Sequence, residues 1–234
     1  MHIPDGFISP GLSAGLVGAS AAILGYSISR LRRAFTSKVP VRAMSTGMST
    51  VTSGTRRVLT SAGEITLYKM GMVAALVFAA QMFNFPVDSG TSGHLIGGVL
   101  AAVLVGPFAG AVVISVVLAV QMLFFADGGV LALGANIVNM ALVGTVICYY
   151  IYHALKQKLP EWIAIAAASW VSVFLAAFSC AVQIGLSGTI AIGAVIPAML
   201  KIHAVIGVAE ALITIAFVYV FRSLITENRQ EQQE

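Results

Sequence analysis

Met1 and His2 set three nitrogens side by side: the amine of Met1, the backbone nitrogen of His2 and the His2 ring. A divalent metal can close chelate rings on all three, with Nδ1 of His2 as the ring atom that reaches it. Flat, nitrogen-rich coordination suits nickel and copper above all. A fourth nitrogen would complete a square. His94 is the candidate, in the small-residue stretch Val87-Asp88-Ser89-Gly90-Thr91-Ser92-Gly93-His94-Leu95. Glycines there let one backbone approach another closely. Pro4 removes the next amide donor and, with Gly6, restricts the path of the opening segment. Taken alone, His94 reads more simply as a helix-start histidine bonded to backbone. With His2 on the same face, the metal reading gains.

Other residues could support such a site. Asp127, Asn136 and Asn139 flank the glycine-rich stretch Asp127-Gly128-Gly129 through Gly134. They could hydrogen-bond the ligand histidines, or the stretch could be a re-entrant turn that satisfies its own backbone. His203 and Glu210 are seven apart, two helical turns, hence on one helix face. An ionisable residue inside a span is costly, so a metal or proton path is one reading. A buried pair that fixes helix packing is the other. Gln81, Gln121 and Gln183 read as interhelical glue before pocket donors. His153, beside Lys156, reads as interfacial. Metal must displace a proton from the amine, of ordinary pKa roughly 7.7, so binding should weaken as pH falls.

The elements that must carry these residues are membrane helices. Of the 234 residues 59% are hydrophobic and 9% charged, with a mean hydropathy of +0.95. A soluble domain carries roughly 25% charged residues. A pI near 9.3 would suggest nucleic acid in a soluble protein; here cationic loops account for it, and nucleic acid is excluded as a partner. Cys148 and Cys180 lie in apolar runs and read as buried thiols without a disulfide. No basic region precedes the first apolar run, so no cleaved signal segment is expected. Apolar segments run over Leu12–Ile28, Tyr68–Phe83, His94–Val105, Phe108–Phe125, Asn136–Tyr152, Trp162–Ile184 and Leu200–Phe221. The third is short and ends at Gly106-Pro107. The expected fold is therefore an all-α integral membrane bundle of seven transmembrane helices forming a single domain over 1–234.

Charge sets the expected orientation. All of the 13 Lys and Arg residues except Lys201 fall on the side shared by the first loop, the 153–161 loop and the C-terminus. The positive-inside rule makes that side cytoplasmic, with the N-terminus outside. His2 and His94 then share the outer face. Residues 36–63 are rich in Ser, Thr, Gly and Arg without apolar periodicity, and read as a long, mobile cytoplasmic loop. Residues 227–234 read as a frayed polar tail. There is no phosphate-binding loop, no His-Glu-x-x-His and no Gly-x-Ser-x-Gly, so ATP hydrolysis is not expected of this chain.

Several stretches together resemble the CbiM/NikM family, the substrate-binding (S) components of energy-coupling-factor transporters for cobalt and nickel. They are Met1-His2-Ile3-Pro4-Asp5-Gly6-Phe7, Gln81 through Val87, Gly90 through Gly98, Asp127-Gly128-Gly129 through Asn136, and His203 through Glu210. The resemblance covers nearly the whole chain except 36–63. It implies an S-component with an additional N-terminal helix, whose amino terminus threads into the bundle. It implies Ni2+ or Co2+ as the transported substrate, held by the Met1 amine, the His2 amide and ring, and the His94 ring, with no organic cofactor. It implies a transmembrane coupling (T) component, two cytoplasmic ATPases and a small accessory membrane subunit as partners in a prokaryotic cell membrane. Two readings compete with it: a stand-alone channel or proton-coupled metal permease with His203 and Glu210 as relay, and an intramembrane hydrolase, for which no nucleophile motif is present.

Overall fold

The computed structural model describes residues 2–43, 52–82, 84–87 and 91–231. The chain is mostly helical. Helix α1 spans Pro10–Phe35, α2 Ser61–Gln81, α3 Gly98–Val105, α4 Pro107–Phe125 and α5 Leu133–Ile137. A π-helical stretch, Val138–Ile147, joins α5 to α6 (Cys148–Lys156); α7 spans Glu161–Leu186 and α8 Ile192–Glu231. Among the described residues, six helices are long and apolar enough to cross a membrane, counting Leu133–Lys156 as one.

The third expected span is the exception. Only eight residues of His94–Val105 are helical, about 12 Å at 1.5 Å per residue, where a bilayer core is about 30 Å thick. Glycines set both limits. Gly97 precedes α3 with φ +69 and Gly106 follows it with φ +91, a left-handed region that glycine enters without steric cost. Residues 95–97 lead into α3 outside any helix or strand. Non-helical backbone at membrane depth is tolerated where protein shields it, and Leu95 through Ala102 are all buried. Gly98 allows the closest approach: a Cβ there would stand 2.5 Å from the Gly144 carbonyl of the π-helical stretch.

Contacts at helix ends define two ends of the bundle. At one, Thr60 accepts from the Gly63 amide to cap α2, and its own amide donates to the last carbonyl of α1, Phe35. Tyr26 of α1 meets Phe108 of α4 edge-on, with ring centroids 5.3 Å apart. Glu161 accepts from Tyr152, Lys156 and Arg222, tying α6, α7 and α8. Arg30, Arg32, Arg33, Lys156, Lys158 and Arg222 gather at this basic end. At the other end lie residues 2–9, the start of α1, the 126–132 loop and the 187–191 turn. The core between them is apolar, with Ile96, Leu100, Ile114, Met140, Ile165 and Ile184 at most 2% exposed. Cys148 and Cys180 are buried free thiols.

Two segments differ from expectation. Within 36–63 the chain forms an antiparallel ribbon, β1 (Thr36–Ala43) against β2 (Thr52–Leu59), with Thr36 opposite Leu59. Its β-branched Thr36, Val39, Val41, Thr52, Thr55 and Val58 suit a strand, yet the described side chains at 37–39 and 55–59 are solvent-exposed, so no buried face announces it. A second, shorter ribbon pairs β3 (Asn84–Val87) with β4 (Thr91–His94), placing Asn84 opposite His94. At the C-terminus α8 continues to Glu231, into the segment read as frayed; residues 44–51 and 232–234 lie outside the described residues.

Candidate metal site

The opening segment is strapped across one end of the bundle by bonds along its length. Ile3 is fully buried. Its amide donates to Asn136 Oδ1 at 2.9 Å, and its carbonyl accepts from Asn136 Nδ2 at 3.3 Å and from the Gly129 amide at 2.9 Å. One asparagine side chain thus imitates a neighbouring strand. Asp5 takes the amides of Val130 (3.0 Å) and Leu131 (2.8 Å) on its two carboxylate oxygens. Thr189 donates to the Phe7 carbonyl, and the Ser9 amide donates to Ser187 Oγ.

Glycines make this strap possible. A Cβ on Gly129 would overlap the backbone and carboxylate of Asp5. Gly128 has φ +104, and a Cβ there would meet Asn136 Nδ2 at 3.2 Å and His2 at 3.6 Å. The double glycine is therefore the surface against which the strap lies.

His2 lands inside the bundle, 4% exposed. Its ring stands 4.2 Å, centroid to centroid, from the ring of His94, which is fully buried on β4. His2 Nδ1 is 2.8 Å from Asp127 Oδ1. His94 Nδ1 lies 2.7 Å from the Leu95 carbonyl. The Leu95 carbonyl can only accept, so its contact holds the His94 ring proton on Nδ1 and leaves the His94 Nε2 lone pair free. Nε2 of both rings is buried without a hydrogen-bond partner. Burial pushes the His2 pKa below its ordinary value, against the opposing pull of Asp127. Two neutral imidazoles side by side, each oriented through its other nitrogen, form a donor pair suited to a transition metal.

The segment carrying His94 is clamped from two helices. Glu210 of α8 accepts from the Ile96 amide at 2.8 Å and from the Gly97 amide at 2.7 Å, one on each carboxylate oxygen. Gln81 of α2 donates to the Ile96 carbonyl at 2.6 Å. Both sides of the Ile96 residue are therefore held two positions beyond His94.

The structure thus brings His2, His94, Asp127 and Asn136 together, with Glu210 supporting them through backbone. Asn139 is elsewhere: it bonds Gln183 and Ser179, linking the π-helical stretch to α7. His203 and Glu210 share a helix but engage different partners, His203 Nδ1 facing the Met199 carbonyl at 2.7 Å with a buried, unpartnered Nε2. They do not form the paired unit that their spacing suggested. Met1 lies outside the described residues. Among those described, no three His, Cys, Asp or Glu side chains are grouped to hold a metal, so a site here must draw on backbone nitrogens too. Sequence reasoning passed over Asp5; Gln81, read as interhelical glue, bonds the backbone of Ile96. The signal for Asp5 was its place between Pro4 and Gly6, with a double glycine elsewhere awaiting a close partner. Gln121, read as glue, is buried with neither amide atom bonded.

The chain is similar to known metal transport proteins. The profile of the CbiM family, described as "Cobalt uptake substrate-specific transmembrane region", matches residues 47–227. A putative fused nickel transport protein NikMN of Archaeoglobus fulgidus is 38% identical over 216 residues, 92% of this chain and 63% of that protein. The chain thus spans less than two thirds of that fused relative's length. A putative metal transport protein of Haloquadratum walsbyi is 34% identical over 223 residues, covering 94% of this chain and 89% of the relative. A crystal structure of a transition metal transporter superposes with a TM-score of 0.80 at 29% identity, covering 99% of this chain and 97% of that one.

Proposed function

The chain belongs to the CbiM family, and from that premise we propose that it binds nickel or cobalt as the substrate-specificity subunit of an ATP-driven energy-coupling-factor importer. The observation that carries the reading is the buried pair His2 and His94, with rings 4.2 Å apart, His94 Nε2 unpartnered and His2 Nδ1 turned to Asp127 at 2.8 Å. The proposed ligands are the Met1 amine, the His2 amide nitrogen and ring, and the His94 ring. For His2 to chelate through Nδ1 together with its own amide, that nitrogen must exchange Asp127 for the metal. Asp127 is then left beside the ring as an acceptor and a compensating charge. Asn136 and Asp5 fix the path of the strap, so that the nitrogens at its start converge rather than wander.

A flat set of nitrogens favours nickel over cobalt intrinsically. In this reading the strapped end of the bundle faces outward and the basic end faces the cytoplasm, in a prokaryotic cell membrane. A transmembrane coupling subunit, two cytoplasmic ATPases and a small accessory subunit complete the importer, the ATPases supplying hydrolysis.

Calorimetric titration of the purified chain with Ni2+ and Co2+ tests the site. One residue added before Met1, or acetylation of the amine, should abolish high-affinity binding of both ions, and so should His94→Ala. Retention of binding by the extended chain sinks the proposal. Uptake of nickel by vesicles holding this chain without ATPases would instead favour a stand-alone permease.

A further inference from the structure

The basic end carries a second feature, unrelated to the metal site. Helix α1 touches the bundle along one narrow line: its buried residues are Ser13, Ser20 and Ser27, one every two turns. Short side chains let the helix lie close along that line and leave a channel beside it. One such groove, of about 480 Å³, is lined by Ala22, Ile23 and Tyr26 of α1, Phe108 of α4, and Leu142 and Tyr150 of the π-helical stretch and α6. It is apolar, with the two tyrosines half-exposed.

Towards the end of α1 this groove runs into another cleft, of about 380 Å³, which shares Phe108 and is lined by Arg30, Leu31, Arg33 and Ala34. Arg30 lies over the Phe108 ring, 5.6 Å from its centroid. Arg33 folds back on its own helix, its Nε donating to the Ser29 carbonyl at 3.3 Å. Among the described residues neither guanidinium is paired with a carboxylate. Phe108 also lies in the first turn of α4, which has no side-chain cap, so the positive end of that helix dipole points the same way.

An apolar trough leading to two unpaired guanidiniums matches the two halves of one molecule. We propose that this groove is a binding site for an anionic phospholipid, with an acyl chain along Ala22–Tyr26 and the phosphate between Arg30 and Arg33. From Ala22 to Arg33 the site covers roughly 16 Å of helix, about the depth of one leaflet of a ~30 Å hydrocarbon core. Guanidiniums suit a phosphate because their planar fork can donate two hydrogen bonds to it. Basic pockets between membrane helices at this level are suited to anionic headgroups. A zwitterionic lipid would bring a cation to the same place and gain little. The site does not depend on metal.

Native mass spectrometry of the full chain in detergent tests this, with phosphatidylglycerol and phosphatidylcholine offered in equal amounts. The wild type should retain phosphatidylglycerol at least about fivefold over phosphatidylcholine, as two basic residues near a headgroup would give. Arg30→Gln with Arg33→Gln should bring the ratio to about one. Ala22→Trp, which fills the trough and leaves the arginines in place, should lower retention of the anionic lipid, and it stands as the test should the double variant fail to fold. Equal retention of the two lipids by the wild type overturns the proposal. So does an unchanged preference in either variant. Disulfide capture of a second protein by Ala22→Cys, with no lipid retained, overturns it in favour of a protein partner.

Discussion

His2 and His94 are useful to a divalent metal because each has lost its water without filling its second nitrogen. A buried imidazole atom without a partner is unfavourable; a metal on His94 Nε2 removes that cost there, while at His2 it takes Nδ1 in place of Asp127. The same burial makes the site sensitive to acid. Since His2 titrates below its ordinary value of 6.5, the unfolded chain takes up protons that the folded one refuses as pH falls below that point. Stability is thus full above pH 6.5 and declines from there down to the lowered folded value. Thermal unfolding in detergent between pH 8 and pH 5 should show a falling Tm, and His2→Phe should flatten the slope. Gly129→Ala is the sharper residue-level test. Its Cβ overlaps Asp5, so the strap must lift. Metal affinity should fall by at least about tenfold, roughly 1.4 kcal/mol, with little loss of helix content by circular dichroism; unchanged affinity would show that the strap is not required. That His2 and His94 share one end of the molecule was legible in the charge distribution. That Asp127 faces the His2 ring while Asn139 turns away to Gln183 was not, because both are polar residues in one glycine-rich region and only packing separates them.

Among the elements, the segment from β4 to α3 does the positioning, and it is held by its peptide groups. Glu210 and Gln81 grip Ile96 from α8 and α2, so movement of either helix displaces His94. Glu210→Ala leaves two buried amides unsatisfied, each costing about 1–3 kcal/mol. The expected result is a lower Tm together with metal binding weakened at least about tenfold. Glu210→Gln keeps one acceptor oxygen and should restore part of the affinity. If Glu210→Ala binds metal normally once folded, the clamp is not needed for the site. The pattern of hydrophobic runs gave the long helices well, since burial and lipid impose the same apolar requirement along each. It failed at α3, where an apolar run is continuous but glycines at 97 and 106 cut the helix to eight residues. It failed also at β1 and β2, whose pairing is a backbone matter and whose described side chains at 37–39 and 55–59 stay exposed.

Over the whole molecule, the two ends are built differently. The basic end is tied by charge, with Glu161 accepting from Tyr152, Lys156 and Arg222 at 2.7–3.2 Å. Glu161→Gln should cost only about 1 kcal/mol, because the group is partly exposed and salt screens it; a small drop in Tm that shrinks further in high salt is the expected reading. The strapped end is tied by backbone bonds between residues very distant in sequence: Ile3 to Asn136, Asp5 to Val130 and Leu131, Phe7 to Thr189, Ser9 to Ser187. Contacts of such long range form late, since the intervening chain must be ordered first. A ribosome makes Phe7 182 residues before its partner Thr189. The opening residues must therefore wait, undocked, while the bundle assembles around the place they will occupy. Metal capture in this protein is consequently a property of the finished molecule, and a nascent or truncated chain lacking the α7–α8 turn would leave His2 without its full tether.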